Sequence, residues 1–291
     1  MENKVVFSIF VDIPDDRLDN PGWYVDGVQV KTEKSKDTKV ALLDSADKIA
    51  ERQMKYAHDI GADYRLFKYD DYYQEFFDYI KKHHPEISEY DIINFYKHRV
   101  MRNLAEEYKY VCYMDFDVIP NTTDCIFEAH NVDNMLAVAE MNRLAFRGKV
   151  VAAEDYNLCI RNPATKYWNT HALLMDEGVD PENDVFNTGI MAGSSEVIKR
   201  LDYFRDFEDV INKMTNLKQD DFSMYPKNIQ RVFGYDNETV FSYWVKLRQI
   251  EIQYMSRQWH WLVDELITKP QELDPNAKLY HFINKQMTWA L

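Results

Sequence analysis

The sequence predicts an α/β protein, with one mostly parallel central sheet flanked by helices. Residues 5–11 and 110–114 are continuous apolar, β-branched and aromatic runs, the pattern of strands buried on both faces. Between them, apolar residues recur at helical spacing in segments bounded by capping residues, Gly or Pro. A chain of 291 residues can bury one substantial core, and no internal repeat or low-complexity tract interrupts it.

Residues 5–11 form the first strand. The polar stretch 12–39, with Pro14, Pro21, Gly22 and Gly27, reads as a long loop, and long ordered loops are commonly functional. Asp44-Ser-Ala-Asp47 introduces a helix with Ile49, Ala50, Met54, Ala57 and Ile60 facing inward and Gly61 as its left-handed cap. Residues 63–69 supply the second strand, completing a right-handed βαβ unit. A short aromatic helix covers residues 71–82. Ser88 and Asp91 form a capping box for a helix reaching residue 107, with Ile93, Tyr96, Val100 and Leu104 buried and Arg99 and Arg102 on a neighbouring face.

Residues 134–140 read as another strand. Residues 145–178, which hold Arg161, Lys166, Trp168 and His171, carry no legible pattern. Residues 185–193 form a short strand, with Ser194 capping the helix after it, and Asp236 is placed as the N-cap of a helix carrying Phe241, Trp244, Val245 and Leu247. Residues 250–255 alternate as an edge strand. Trp259-His-Trp261 is either a sugar-stacking wall or a packed corner. Residues 278–289 are a strand and an exit loop.

The chemistry concentrates in Asp115 and Asp117, which close the 110–117 run. Both carboxylates reach one ion only if the chain bends there. Pro120 suggests that the chain leaves the sheet near there. Two hard oxygen ligands at the carboxyl edge of a central strand suit Mg²⁺ or Mn²⁺ and, through the metal, a diphosphate. This Asp-x-Asp triplet occurs once in the chain.

Composition narrows the classes. Lys plus Arg number 35 against 49 Asp plus Glu, a net charge of −14, which disfavours generic binding to nucleic acid or anionic membrane. Cys112, Cys125 and Cys159 form no CxxC pair, so reduced thiols are expected. No run approaches the ~18 apolar residues of a membrane span, and a soluble, cytoplasmic protein is expected.

Met114-Asp-Phe-Asp117-Val, then Phe186-Asn-Thr-Gly-Ile-Met-Ala-Gly193, then His281-Phe resemble, in that order, the GT-A-fold glycosyltransferases, and most of all the glycogenin-like and galactosyltransferase-like family eight. The resemblance runs from Val5 to Trp289. It implies a single GT-A (Rossmann-like) domain over residues 1–291, with a nucleotide-binding half to residue 120 and an acceptor half over 121–291. The implied activity is metal-dependent transfer of a sugar from a nucleoside-diphosphate donor, a UDP-sugar, to an acceptor hydroxyl with retention of configuration. Asp115, Asp117 and His281 would hold Mn²⁺ or Mg²⁺.

By the same resemblance, Asn187, Thr188 and Gly189 face the transferred sugar and the acceptor, and Arg99 or Arg102 approaches the donor phosphate. Trp23 or Tyr24 stacks on the base. Asp236 or Glu238 stands near the reacting groups, and Asp184 is a further acid; none is singled out as nucleophile or base. The family's tail reads His-Phe-x-Gly-x-x-Lys-Pro-Trp. Here His281, Phe282 and Trp289 keep their spacing, Asn284, Met287 and Thr288 replace Gly, Lys and Pro, and Lys285 stands two positions early as a phosphate contact. The partners are a sugar nucleotide and an acceptor left open among glycans, small molecules and modified DNA, with no membrane; the oligomeric state is not readable. Two other classes compete: a haloacid-dehalogenase-like phosphatase, disfavoured because its Asp-x-Asp normally follows the first strand, and a catalytically silent sugar-nucleotide-binding module.

Overall fold

The computed structural model describes residues 3–18, 23–25, 28–31, 34–141, 163–219, 230, 234–264 and 267–291. Along the chain these form β1 (Lys4–Ile9), a 3-10 turn at Asp15–Arg17, β2 (Trp23–Val25), β3 (Val28–Lys31), α1 (Lys34–Asp59), β4 (Asp63–Phe67), α2 (Asp71–His83), α3 (Glu89–Glu107), β5 (Tyr110–Met114) and β6 (Val118–Pro120). Then come α4 (Ile126–Ala129), β7 (Met135–Met141), α5 (Pro163–Asp176), β8 (Val185–Ser194), α6 (Ser195–Leu201), α7 (Phe207–Gln219), α8 (Asn237–Leu247), β9 (Ile252–Tyr254), β10 (Trp261–Leu262) and β11 (Leu279–His281).

The main sheet has the order β4-β1-β5-β8-β7-β9, and only β8 runs against the other strands. The expected mostly parallel sheet flanked by helices is therefore what the chain forms. Alternation decides the layers. Val5, Phe7, Val111 and Tyr113 enter the large cluster with α2, α3, α5, α7 and α8, whereas Val6, Cys112 and Met114 enter a second cluster with Tyr56 and Ala57 of α1 and Ile60 just after it. A sheet covered on both faces must be apolar on both, which is why β1 and β5 read as unbroken runs.

A second sheet, β10-β11-β6, carries its own cluster of Ile119, Val263, Tyr280, Phe282 and Met287, with Ile49 of α1. Pro120 does not take the chain out of sheet structure. It ends β6, opposite Leu279 of β11. At a strand's last residue its missing N–H costs the ladder little.

The expected loop over residues 12–39 is shorter than the sequence suggested. It contains the 3-10 turn and the β2–β3 hairpin, and α1 starts at Lys34, ten residues before the Asp44 cap. No Gly or Pro stands between 34 and 44, and Ala41, Leu42 and Ala46 pack on the third cluster, so nothing stops the helix there. Met54 is 53% exposed; the inward stripe runs Ile49, Gln53, Tyr56, Ala57, Ile60. In α3, Ile92 rather than Ile93 is fully buried, while Ser88 accepts from the Asp91 amide as the capping box required. Among the described residues, no helix is long and apolar enough to cross a membrane.

Gly61 ends α1 with φ +69, its amide donating to the His58 carbonyl at 3.0 Å, so the chain can reverse into β4. Gly61→Ala is expected to destabilise the fold by about 1–2 kcal/mol, read from urea unfolding midpoints, because a Cβ strains this backbone even with open space around it.

Candidate metal centre

β5 stops at Met114 and the backbone turns at once: the Val118 amide donates to the Asp115 carbonyl at 2.9 Å. That turn supplies the expected bend. It is held from inside by Gln53 of α1, whose Nε2 donates to the carbonyls of Asp115 (3.1 Å) and Val118 (2.8 Å). The Gln53 Oε1 in turn accepts from Ser8 (2.7 Å) and Tyr64 (2.9 Å), so all its polar valences are spent on fixing the turn. The Asp115 amide donates to the Gly189 carbonyl at 2.7 Å, tying the turn to β8.

The third group comes from the far end of the chain. Antiparallel pairing of β11 with β6 sets His281 opposite Val118, and the Phe282 amide donates to the Asp117 carbonyl at 3.0 Å. His281 Nε2 then lies 3.5 Å from Asp115 Oδ2 and 3.4 Å from Asp117 Oδ1. One ligand atom from each of Asp115, Asp117 and His281 falls within 4.8 Å of the others. Ligands bonded to one small divalent ion at ~2.1 Å stand roughly 3–4 Å apart, so this donor set fits Mg²⁺ or Mn²⁺. The imidazole approaches so closely because residue 189 is glycine: a Cβ there would lie 2.3 Å from His281 Cε1.

Charges around the acids are balanced locally. Burial alone would raise the Asp117 carboxyl, but Lys285, which ion-pairs with Asp117 Oδ2, and His281 overcome it and hold that acid well below the usual carboxylate range. Burial would lower His281, yet Asp117 and Asp115 raise it above its ordinary value. Lys97 of α3 is 2% exposed; its Nζ donates to the Thr188 carbonyl at 3.2 Å and lies 3.7 Å from Asp115 Oδ1. The Tyr113 hydroxyl donates to Asp115 Oδ1 at 2.5 Å.

A cleft of about 340 Å³ opens on these groups, and Asn187, Lys166, Asp236, Asn237 and Glu238 also line it. Glu238, in the first turn of α8, accepts from the Thr188 amide at 2.8 Å and from its hydroxyl at 3.2 Å, and forms an ion pair with Lys166 of α5. Burial pushes this carboxyl up, but Lys166 and Lys97 outweigh it and bring it down to about 2. Asp236 caps α8, accepting from the amides of Glu238 (2.8 Å) and Thr239 (3.0 Å). Asn237 Oδ1 accepts from Thr188 Oγ1 at 2.8 Å and from His98 Nε2 at 3.1 Å; burial lowers His98 to about 3, so it stays neutral.

The structure brings together Asp115, Asp117, His281, Lys285, Asn187, Asp236 and Glu238 and corrects three other expectations. Arg99 is outside the cleft, in a separate hollow with Tyr72, Tyr79, Phe204 and Glu208, and Arg102 pairs with Glu106. At ~100° per residue, Arg99 projects about 200° from Lys97 on α3, and the helix turns Lys97 to the site instead. Thr188 does not line the cleft; its hydroxyl is engaged beneath it by Asn237 and Glu238. Asp184 lies outside it too, accepting from Tyr254 at 2.5 Å. Of the two readings left open for Trp259-His-Trp261, Trp259 takes the packed corner, edge-on against His130. The side chains of Trp23 and Tyr24, and Arg161, fall outside the described residues.

Sequence reading missed Lys97, Gln53, Lys166 and His260. For Lys97 a signal was present: it stands four residues after Ile93 and three before Val100, on the arc of α3 assigned to the core.

No protein-family model and no curated protein matches the chain. Among solved structures, the chain is similar to a glycosyltransferase involved in glycosylation of the major capsid of PBCV-1, at 12% identity and TM-score 0.45, over 98% of this chain and 95% of that one. It is also similar to mouse xyloside xylosyltransferase 1 in its apo form, at 8% identity and TM-score 0.45, over 97% and 98%. A third is the galactosyltransferase LgtC in complex with donor and acceptor sugar analogues, at 10% identity and TM-score 0.41, over 96% and 87%. At these values the likenesses establish no common family, and the functional reading rests on the site itself.

Two outcomes follow from this geometry. Gly189→Ala is expected to fold yet lose Mn²⁺ affinity at least ~10-fold, measured by titration calorimetry, because the new Cβ drives the His281 ring off its ligand position. Lys166→Met leaves Glu238 buried without its nearest cation and is expected to cost about 3–5 kcal/mol near neutral pH. Because the Glu238 value is depressed on folding, the pair's contribution is complete above the ordinary glutamate value of ~4.3 and lost as pH falls toward about 2. Urea unfolding at about pH 7 and about pH 3 should therefore show a smaller acid loss in Lys166→Met than in the wild type.

Proposed function

We propose that the protein is a metal-dependent glycosyltransferase of GT-A type, moving a sugar from a nucleoside diphosphate, a UDP-sugar, to an acceptor hydroxyl. The observation that carries this is the Asp115, Asp117 and His281 ligand set standing in one cleft with the ammonium groups of Lys97 and Lys285. Asp115, Asp117 and His281 would hold Mn²⁺ or Mg²⁺, which would supply Lewis-acid stabilisation for the negative charge of a departing diphosphate.

The chain's own residues supply the rest. Lys97 and Lys285 place two further positive charges at the leaving group, fixed in advance by Thr188, Asp115 and Asp117. Asn187, Asp236 and Asn237 offer hydrogen-bonding groups to sugar and acceptor hydroxyls. Glu238 is ionised and bound to Lys166 and Thr188, so it shapes the floor of the cleft rather than moving a proton. We read residues 1–291 as one domain, with a nucleotide-binding half to residue 120, and a glycan, small molecule or modified DNA as acceptor with retained configuration. The free thiols of Cys112 and Cys125 fit a reducing, cytoplasmic setting.

A phosphatase of haloacid-dehalogenase type is not favoured: Asp115 follows the third strand of the main sheet in chain order, and its carboxylate faces Lys97, Tyr113 and His281. Incubation with Mn²⁺ and a panel of sugar nucleotides is expected to give metal-dependent hydrolysis or transfer with one of them. Asp117→Asn and His281→Ala should abolish metal-dependent donor binding in calorimetric titration with the circular dichroism spectrum unchanged. Unaltered donor affinity in both variants would remove the assignment.

A further inference from the structure

A histidine that ligates a metal through Nε2 must carry its proton on Nδ1, so the group facing Nδ1 decides whether the ring is a ligand at all. His281 Nδ1 lies 2.9 Å from Nε2 of His260, with the ring centroids 5.1 Å apart and the planes inclined by 26°. His260 is 1% exposed and is delivered by the small sheet, where the next residue, Trp261, pairs with Tyr280 of β11.

Only one of two proton arrangements across this contact serves a cation. If His260 Nε2–H donated to His281 Nδ1, a neutral His281 would carry its proton on Nε2, aimed at Asp115 and Asp117, with no lone pair for a metal. If His281 Nδ1–H donates to His260 Nε2, the lone pair of His281 Nε2 faces the carboxylates. His260 then carries its proton on Nδ1, which makes no hydrogen bond among the described residues, so nothing on that side imposes the opposite arrangement.

We infer that His260 is a positioning residue for the metal centre: its Nε2 accepts the Nδ1 proton of His281 and so fixes the tautomer and the ring angle that present Nε2 to the cation. This rests on reading Asp115, Asp117 and His281 as a metal site, and not on the sugar chemistry. The same bond holds the ring whether Nε2 carries a proton or a metal. Gly189 clears one face of the imidazole, and His260 anchors its inner edge.

The test uses the full chain and Mn²⁺ alone, with free Mn²⁺ counted by electron paramagnetic resonance. His260→Phe keeps the ring volume and removes the acceptor; Mn²⁺ affinity is expected to fall about 10–100-fold. His260→Gln restores an acceptor and should recover most of that loss, which a purely space-filling role would not produce. Nitrogen-15 spectra of the wild type should show His281 Nδ1 protonated, and in His260→Phe a mixture of tautomers. Wild-type Mn²⁺ affinity in a folded His260→Phe, failure of Gln to rescue where Phe loses affinity, or an unprotonated His281 Nδ1 in the wild type overturns the inference. If Mn²⁺ binding depends on His260 but no sugar nucleotide is ever turned over, the sugar-transfer reading fails and this one stands.

Discussion

The antiparallel pairing of β6 with β11 is the contact on which the site depends. Asp115 and Asp117 are neighbours in sequence, but His281 lies 164 positions beyond Asp117 (281 − 117), and closing a loop of that length costs roughly 4–5 kcal/mol of chain entropy. Three backbone registers alone would not offset that. The cluster beneath them does: Ile119, Val263, Phe282 and Met287 are at most 1% exposed, and each such side chain contributes about 1.5–3 kcal/mol. The small sheet thus has its own apolar reason to form, and the imidazole arrives at the carboxylates as a consequence of register rather than of any attraction between them.

Holding two carboxylates together still needs compensation. At the 4.8 Å limit of the ligand set, two full charges repel by about 3 kcal/mol at an effective dielectric constant of about 20. The chain answers this acid by acid. Lys97 faces Asp115, Lys285 faces Asp117, and Lys166 faces Glu238 across the same cleft. In a protein of net charge −14, three of its lysines are spent within one concavity, each against a named anion. Because these pairs already neutralise the acids, an added divalent cation turns the cleft positive, which suits an anionic diphosphate better than a neutral substrate.

Much of this was legible because some elements are dictated locally. The 110–114 run and the Ser88 and Asp236 caps each follow from period or capping chemistry. What was not legible depends on which arc of a helix meets the sheet. Met54 and Gln53, or Arg99 and Lys97, are one and two residues apart, and composition favoured the wrong member each time: an apolar residue for the core, an arginine for phosphate. Tertiary polar demand reversed both choices. The two carbonyls of the 115–118 turn required a buried amide from α1, and the Thr188 carbonyl and Asp115 required a cation from α3. The tautomer contact of His260 is further from reach, since it exists only once β10 and β11 are paired.

The tail shows how backbone conformation can restore a contact that spacing alone would discard. Counted along the chain, Lys285 is two positions early for a phosphate-binding lysine, and the position where one was expected holds Met287, 1% exposed in the third cluster. Lys285 adopts φ +62, a left-handed conformation that a non-glycine residue enters at a cost of roughly 1–2 kcal/mol. The turn is closed by the Lys285 amide on the Phe282 carbonyl at 3.0 Å and swings the side chain back over β11 to Asp117. An ion pair to a buried acid contributes more than that strain, because Asp117 without its ammonium would be a desolvated charge costing several kcal/mol. The backbone at residue 285 and the carboxylate at 117 therefore stabilise one another, so the lysine reaches the candidate metal centre through its conformation and not through its place in the count.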